Sequence, residues 1–307
     1  MKATMARRRA NSTIQGCHDA LIVGAGPAGL TAAIYLGRFR RPALVLDSGE
    51  SRLGWIPTSH NHPGFPGGVA GAALLSRMKR QARDFGATLA SSTVRAIARE
   101  GDAFTVELEE GAARARFVIL ATGVEDRAPP FPDLFEAVQR GLIRMCPICD
   151  AYEVIDKAVA VIGAGEHAVR EALFLRRYSD RVTLLLAPGS RLDEKGRGEL
   201  AEAAVPVIEV AMAQIGIDGP RVVAGGEAMF DTAYLAFGLT PRARLATGLG
   251  AKVNDAGCLV VDAHQHTTVH GLYAAGDVVR GLNQISIAQA EGAIAATDIH
   301  NRLLALP

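Results

Sequence analysis

Ala20-Leu21-Ile22-Val23-Gly24-Ala25-Gly26-Pro27-Ala28-Gly29 is the stretch that decides the fold. The four apolar residues read as a buried strand, and the apolar run after Pro27 reads as a helix reaching about Arg38. The glycines therefore occupy the strand-to-helix turn. Gly24 allows the tight turn, Gly26 lets the backbone approach a pyrophosphate, and Gly29 lets helix and strand pack closely, with Pro27 and Ala28 completing the nucleotide-facing loop. A second apolar strand, Ala43-Leu44-Val45-Leu46, ends in Asp47, whose carboxylate suits a ribose 2′-hydroxyl and favours an adenosine without a 2′-phosphate. The glycines alone are weak. Strand, loop, helix, strand and acid in this order specify a dinucleotide-binding unit.

The pattern recurs once. Gly163-Ala164-Gly165-Glu166-His167-Ala168 follows the strand Ala158–Ile162 and opens a helix through about Arg177, with Ala168 in the third glycine position. The next strand, Val182–Leu186, runs into Ala187-Pro188-Gly189-Ser190, with neither the acid that selects NAD nor an immediate arginine for a 2′-phosphate. Arg191, Lys195 and Arg197 follow, either as a source of positive charge for a nucleotide or as solvated surface residues.

Between the two loops stands Cys146-Pro147-Ile148-Cys149-Asp150. A Cys-x-x-Cys pair can cycle between dithiol and disulfide, at a potential set by how well its thiolate is stabilised. Zinc needs four ligands, and the second Cys-x-x-Cys or His-x-His partner is absent: Cys17 and Cys258 are isolated, and His264 and His266 are the only close histidine pair. The motif thus reads as redox-active, and no metal site is expected. Asp150 can exchange a proton with a departing thiolate, or equally serve as a helix cap or solvated carboxylate.

With 307 residues, 49% of them hydrophobic, the chain is long enough for two domains. A net charge of +1 argues against nucleic acid and acidic membrane surfaces as partners. Two paired and two solitary cysteines do not form an extracellular framework, so the expected compartment is a reducing cytoplasm. Residues 1–18, with Arg7-Arg8-Arg9, are expected to form a flexible extension. The uncharged run Ala20–Gly37 contains Pro27 and four glycines and fits strand, turn and helix rather than a membrane anchor.

On these motifs, from residue 19 onward, the chain resembles the low-molecular-weight thioredoxin reductase family of FAD-dependent disulfide oxidoreductases. Further stretches carry the likeness. Asn61-His62-Pro63-Gly64-Phe65-Pro66 resembles the family segment passing the flavin ring, with Asn61 in the contacting place. Ile119-Leu120-Ala121-Thr122-Gly123 is similar to the exit from the FAD domain, and Tyr234-Leu235-Ala236-Phe237-Gly238 to the return crossing. Gly271-Leu272-Tyr273-Ala274-Ala275-Gly276-Asp277 resembles the second FAD fingerprint, whose aspartate binds the ribityl chain; Gln284 matches the family near the flavin, and Asn283 departs from it.

The resemblance implies an α/β fold of two doubly wound, Rossmann-like domains: an FAD domain over 19–122 and 239–307, split around an NAD(P)H-type domain over 123–238 that carries the cysteines. It implies FAD and NADPH as cofactors, a homodimer, and a thioredoxin-like protein or a small-molecule dithiol or disulfide as partner. Cys149 is the implied flavin-proximal thiol, Cys146 the interchange thiol and Asp150 the proton carrier, with the Thr122-Gly123 and Phe237-Gly238 crossings as hinges. Two departures stand out. The His-Arg-Arg cluster that clamps the NADPH 2′-phosphate is replaced by Leu186-Ala187-Pro188, and Pro147-Ile148 replaces Ala-Thr between the cysteines. They leave open a flavin-dependent dithiol oxidase like those acting on gliotoxin and holomycin, or a low-turnover flavin redox sensor.

Overall fold

The computed structural model describes residues 16–131 and 133–306. In chain order the first elements are β1 (Cys17–Val23), α1 (Pro27–Arg38), β2 (Leu44–Asp47), α2 (Gly71–Asp84), β3 (Thr88–Ser91), β4 (Val94–Glu100), β5 (Ala103–Leu108) and β6 (Ala112–Leu120). The middle contributes β7 (Val124–Asp126), α3 (Leu134–Gln139), β8 (Ile143–Arg144), α4 (Pro147–Asp150), β9 (Val159–Gly163), α5 (Gly165–Leu175), β10 (Val182–Leu186) and α6 (Glu194–Glu202). Then come β11 (Val207–Glu209), β12 (Ile215–Asp218), β13 (Arg221–Ala224), β14 (Ala228–Phe230), β15 (Thr232–Ala236), β16 (Leu239–Pro241), α7 (Arg244–Thr247), β17 (Leu272–Ala274) and α8 (Ile285–Leu304).

These elements form two compact units. The first comprises the chain up to Gly54, Ala72–Glu125 and everything from Thr240; the second comprises Trp55–Gly71 and Asp126–Leu239. In the first, β3, β2, β1 and β6 are parallel neighbours, β17 joins the end of β6 in parallel, and β5 and β4 continue from β6 as an antiparallel meander. Val23 lies level with Leu46 and Leu120, and Leu120 with Ala274. The register therefore brings the carboxyl ends of β1, β2, β6 and β17 to one edge, where a doubly wound sheet binds its ligand. Leu21, Ile22, Leu44 and Val118 are fully buried, as expected of parallel strands covered on both faces.

The second unit repeats the plan with a parallel sheet ordered β11-β10-β9-β15-β8, accompanied by the antiparallel sheet β12-β13-β14. Both units are Rossmann-like α/β.

Three expectations are adjusted. β1 begins at Cys17, inside the stretch read as an extension, because Cys17 pairs with Arg114 and His18 with Ala115 along β6. The rest of that stretch through residue 15, with its arginines, lies outside the described residues. Trp55–Gly71, read as part of the FAD domain, belongs to the second unit, where the Trp55 ring meets Phe135 edge-on at 5.2 Å and Gln139 Nε2 donates to the Trp55 carbonyl. The helix after the second loop stops at Leu175, short of Arg177.

Candidate active site

The first glycine loop has the steric logic of a phosphate cradle. Gly24 has φ +107°, and a Cβ there would lie 2.3 Å from the Ala121 carbonyl oxygen; a Cβ on Gly29 would lie 2.0 Å from the Gly24 carbonyl oxygen. Neither position has room for a methyl group. Gly26 differs, since its Cβ would meet nothing nearer than Ser51 Oγ at 3.7 Å. Gly26 also caps α1 with extended backbone and no side-chain hydrogen bond, leaving the first turn's N–H groups for a ligand. Ser51 Oγ beside it is buried without a hydrogen-bond partner. A solitary buried hydroxyl, an open glycine and a bare helix start fit the pyrophosphate of a dinucleotide.

Around this cradle the other residues of the first unit take their places. Pro27 opens α1, and Ala28 packs beneath Gly276 and Gly292, where added Cβ atoms would come within 3.0 Å of the Ala28 Cβ and 2.2 Å of its carbonyl oxygen. Asp47 Oδ2 is 2.7 Å from Lys79 Nζ on α2, while Oδ1 accepts the Gly49 N–H. Asp277 pairs with Arg52 at 2.7 Å. Gly276 donates its N–H to Glu291, whose carboxyl is pushed up by burial. Thr122 Oγ1 donates to the Arg242 carbonyl, and Gly123 accepts the Arg242 N–H. Gln284 caps α8. Ser51, Arg52, Lys79 and Gly292 were not singled out in the sequence, because each matters only through a partner that is distant along the chain.

The second unit holds the remaining candidates. Asn61 accepts from Ser59 Oγ in the 55–71 stretch. At the second loop, a Cβ on Gly163 would lie 2.4 Å from the Ala236 carbonyl oxygen and 2.9 Å from the Ala168 Cβ, so Ala168 fills its position to contact. Gly165 has φ +64° and open space around it. This is again a dinucleotide loop by shape. Its charge is different: Glu166 occupies the first turn of α5 and pairs with Arg170 at 2.9 Å, and His167 pairs with Glu171 at 3.0 Å. Beyond β10, Arg197 is turned back onto the Leu192 carbonyl and Lys195 faces Glu199. The residues following β10 do not fit a 2′-phosphate clamp.

Cys146 and Cys149 are joined by a disulfide, their Cα atoms 5.3 Å apart, with Cys146 at the start of the short α4 and accepting the Cys149 N–H. Both are half-buried. Asp150 is held by two side chains of its own unit. It makes no side-chain cap; instead Oδ2 is 2.6 Å from the Arg144 guanidinium and Oδ1 is 2.7 Å from the Tyr234 hydroxyl. Burial holds its carboxyl above the ordinary range, partly offset by Arg144 and by the Tyr234 hydrogen bond. Tyr234 is itself raised by burial and then by the Asp150 charge. Among the described residues no cluster suited to a metal ion occurs, and no helix is long and apolar enough to cross a membrane.

Comparison with known proteins agrees with this geometry. The family model described as "Pyridine nucleotide-disulphide oxidoreductase" matches residues 18–292. A thioredoxin reductase of Mycolicibacterium smegmatis is 32% identical over 96% of this chain and 99% of the relative. Among solved structures, thioredoxin reductase from Streptococcus pyogenes MGAS5005 superposes with a TM-score of 0.85 at 26% identity, covering 94% of this chain and 99% of that one. The crystal structure of HlmI gives 0.84 at 31% identity, covering 94% and 93%.

Proposed function

Since the chain belongs to the pyridine nucleotide-disulphide oxidoreductase family and is an FAD-dependent disulfide oxidoreductase similar to thioredoxin reductases, we propose that it carries electrons from reduced pyridine nucleotide through FAD and Cys146/Cys149 to the disulfide of a thioredoxin-like protein. The observation that carries this reading is the Cys146–Cys149 disulfide, with Asp150 the next residue in the chain, in the unit that bears a second dinucleotide loop. The working form is a homodimer in the cytoplasm, in keeping with the prevalence of twofold assemblies.

Gly24, Gly26, Ala28, Gly29 and Ser51 would receive the FAD pyrophosphate, Asp47 the adenosine ribose, Asp277 the ribityl chain, and Asn61, Ala121, Thr122, Gly123 and Gln284 the flavin side. When bound, FAD supplies two-electron chemistry between a nicotinamide and a disulfide. Reduction of the Cys146–Cys149 bond takes two electrons and two protons, and Asp150 would exchange protons with the two sulfurs as the bond opens and re-forms. Cys146 thiolate then attacks the partner's disulfide and expels one partner thiol. Cys149 displaces the second, re-forming the internal disulfide. Gly163, Gly165, Glu166, His167 and Ala168 form the loop for the nicotinamide nucleotide.

The ground for a second reading is the charge of that loop. With Glu166 in the first turn and no basic residue between β10 and Arg191, the loop suits NADPH poorly. In this reading a small dithiol reduces Cys146–Cys149 and is released as its disulfide, and FAD, when bound, would supply the chemistry that passes the two electrons and two protons to oxygen as hydrogen peroxide. Anaerobic stopped-flow of the FAD-bound protein with NADPH, NADH and a dithiol separates the two. Fast flavin bleaching by a nucleotide, with extra equivalents consumed that a Cys146→Ser, Cys149→Ser variant does not take up, supports the reductase. Bleaching by dithiol alone, dependent on both cysteines, sinks it in favour of the oxidase.

A further inference from the structure

Arg144 and Tyr234 stand directly opposite one another in the register of β8 and β15, two strands brought together only by the fold. Both side chains reach the same carboxyl group, one oxygen each, at 2.6 and 2.7 Å. We propose that Arg144 and Tyr234 are positioning residues that clamp the two oxygens of Asp150 and set its proton affinity for the dithiol chemistry of Cys146 and Cys149. The proposal rests on the proton-carrying role given to Asp150 above.

The clamp balances opposing influences. Burial favours the neutral acid, whereas the fixed guanidinium charge and the Tyr234 hydroxyl favour the carboxylate. Tyr234 is fully buried, and its O–H stays protonated, so it acts as a donor. Arg144 Nε is buried without a partner, so Asp150 is the anion on which this guanidinium depends, and protonating Asp150 leaves a buried cation less compensated. The clamp thereby offsets part of the proton affinity that burial confers. Among the described residues one further ionisable group acts on Asp150, and the helix packed against α4 carries an ion pair of its own. Glu153, in the turn after α4, adds negative charge that favours the neutral acid, and His167 and Glu171 on the adjacent α5 are paired with each other. Two donors also fix the carboxyl plane, which keeps the acid one residue from Cys149 in one orientation.

The test uses the FAD-loaded full chain under anaerobic conditions. Dithiothreitol reduces the Cys146–Cys149 disulfide across a pH series, and acid quench with alkylation counts the protein thiols. Expressed per reductant thiolate, the wild-type rate falls as Asp150 loses its proton, and Asp150→Asn abolishes that fall. Tyr234→Phe removes one donor from the carboxylate, so the fall moves to higher pH by about one unit with the plateau rate kept. Arg144→Lys moves it in the same direction, and decides the matter if Tyr234→Phe does not retain FAD. A fall lost in Asp150→Asn yet unmoved in the clamp variants overturns the clamp alone. A fall retained in Asp150→Asn overturns the role of Asp150 and the clamp with it.

Discussion

Replacing Gly26 and Gly29 separately by alanine asks whether the first loop divides its work between ligand approach and packing. At Gly29 the new Cβ would sit 2.0 Å from the Gly24 carbonyl oxygen and 3.1 Å from Ile22 Cγ2, both rigid neighbours. Relief requires α1 to shift from the sheet, and overpacking of this kind costs about 1–3 kcal/mol. At Gly26 the backbone has φ −81°, and the methyl enters open space with Ser51 Oγ at 3.7 Å. Apoprotein stability should change by no more than about 0.5 kcal/mol, or rise slightly through the lost entropy of the unfolded chain. In the proposed site the same methyl would stand where the pyrophosphate approaches, so FAD affinity should fall by about tenfold to a hundredfold, equivalent to roughly 1.4–2.8 kcal/mol. Urea unfolding of the apoproteins and FAD titration followed by flavin fluorescence measure the two effects. Gly26→Ala with wild-type FAD affinity, or with an apoprotein as unstable as Gly29→Ala, would refute the division of roles.

Further outcomes are expected elsewhere. A Cys146→Ser, Cys149→Ser variant should keep bound FAD and lose all dithiol-dependent flavin bleaching, measured anaerobically. Pro188→Arg, which restores a cation after β10, should shift the NADPH-to-NADH preference toward NADPH by roughly tenfold, read from nucleotide dissociation constants. Asp298, held by Tyr273, Arg302 and His266, and Asp262, held by His266, have carboxyls lowered by those hydrogen bonds against an opposing burial effect. Groups whose folded affinity for protons is depressed stabilise above the ordinary carboxylate range and lose that contribution as pH falls through their folded values. Urea midpoints should therefore drop on acidification. Asp298→Asn should cost about 1–2 kcal/mol at neutral pH and flatten the slope.

The strand–glycine-turn–helix shape of the two loops was legible because its requirements are local. Turn, close approach and helix start all lie within the ten residues from Ala20 to Gly29, and the spacing of Gly163 and Gly165 against Ala168 repeats them. The cysteine pair was equally plain, since two intervening residues suffice for a disulfide once the chain turns at Pro147. The setting of Asp150 was not legible. Tyr234 lies 84 residues away and matched only as part of a strand leaving the domain. Likewise Asp277 was read from its fingerprint, but its Arg52 partner is 225 residues distant.

The sequence by itself therefore determined the two doubly wound units, the order of their phosphate loops and the redox pair, because periodicity, small residues and turns act over a few neighbours. The tertiary structure alone decided that Trp55–Gly71 joins the second unit, that β17 extends the end of β6, and that Arg144 and Tyr234 share Asp150. Those outcomes depend on which strand lies beside which. A parallel sheet sets its neighbours through crossovers many residues long, so the side chains that meet across it carry no mark of one another in the sequence.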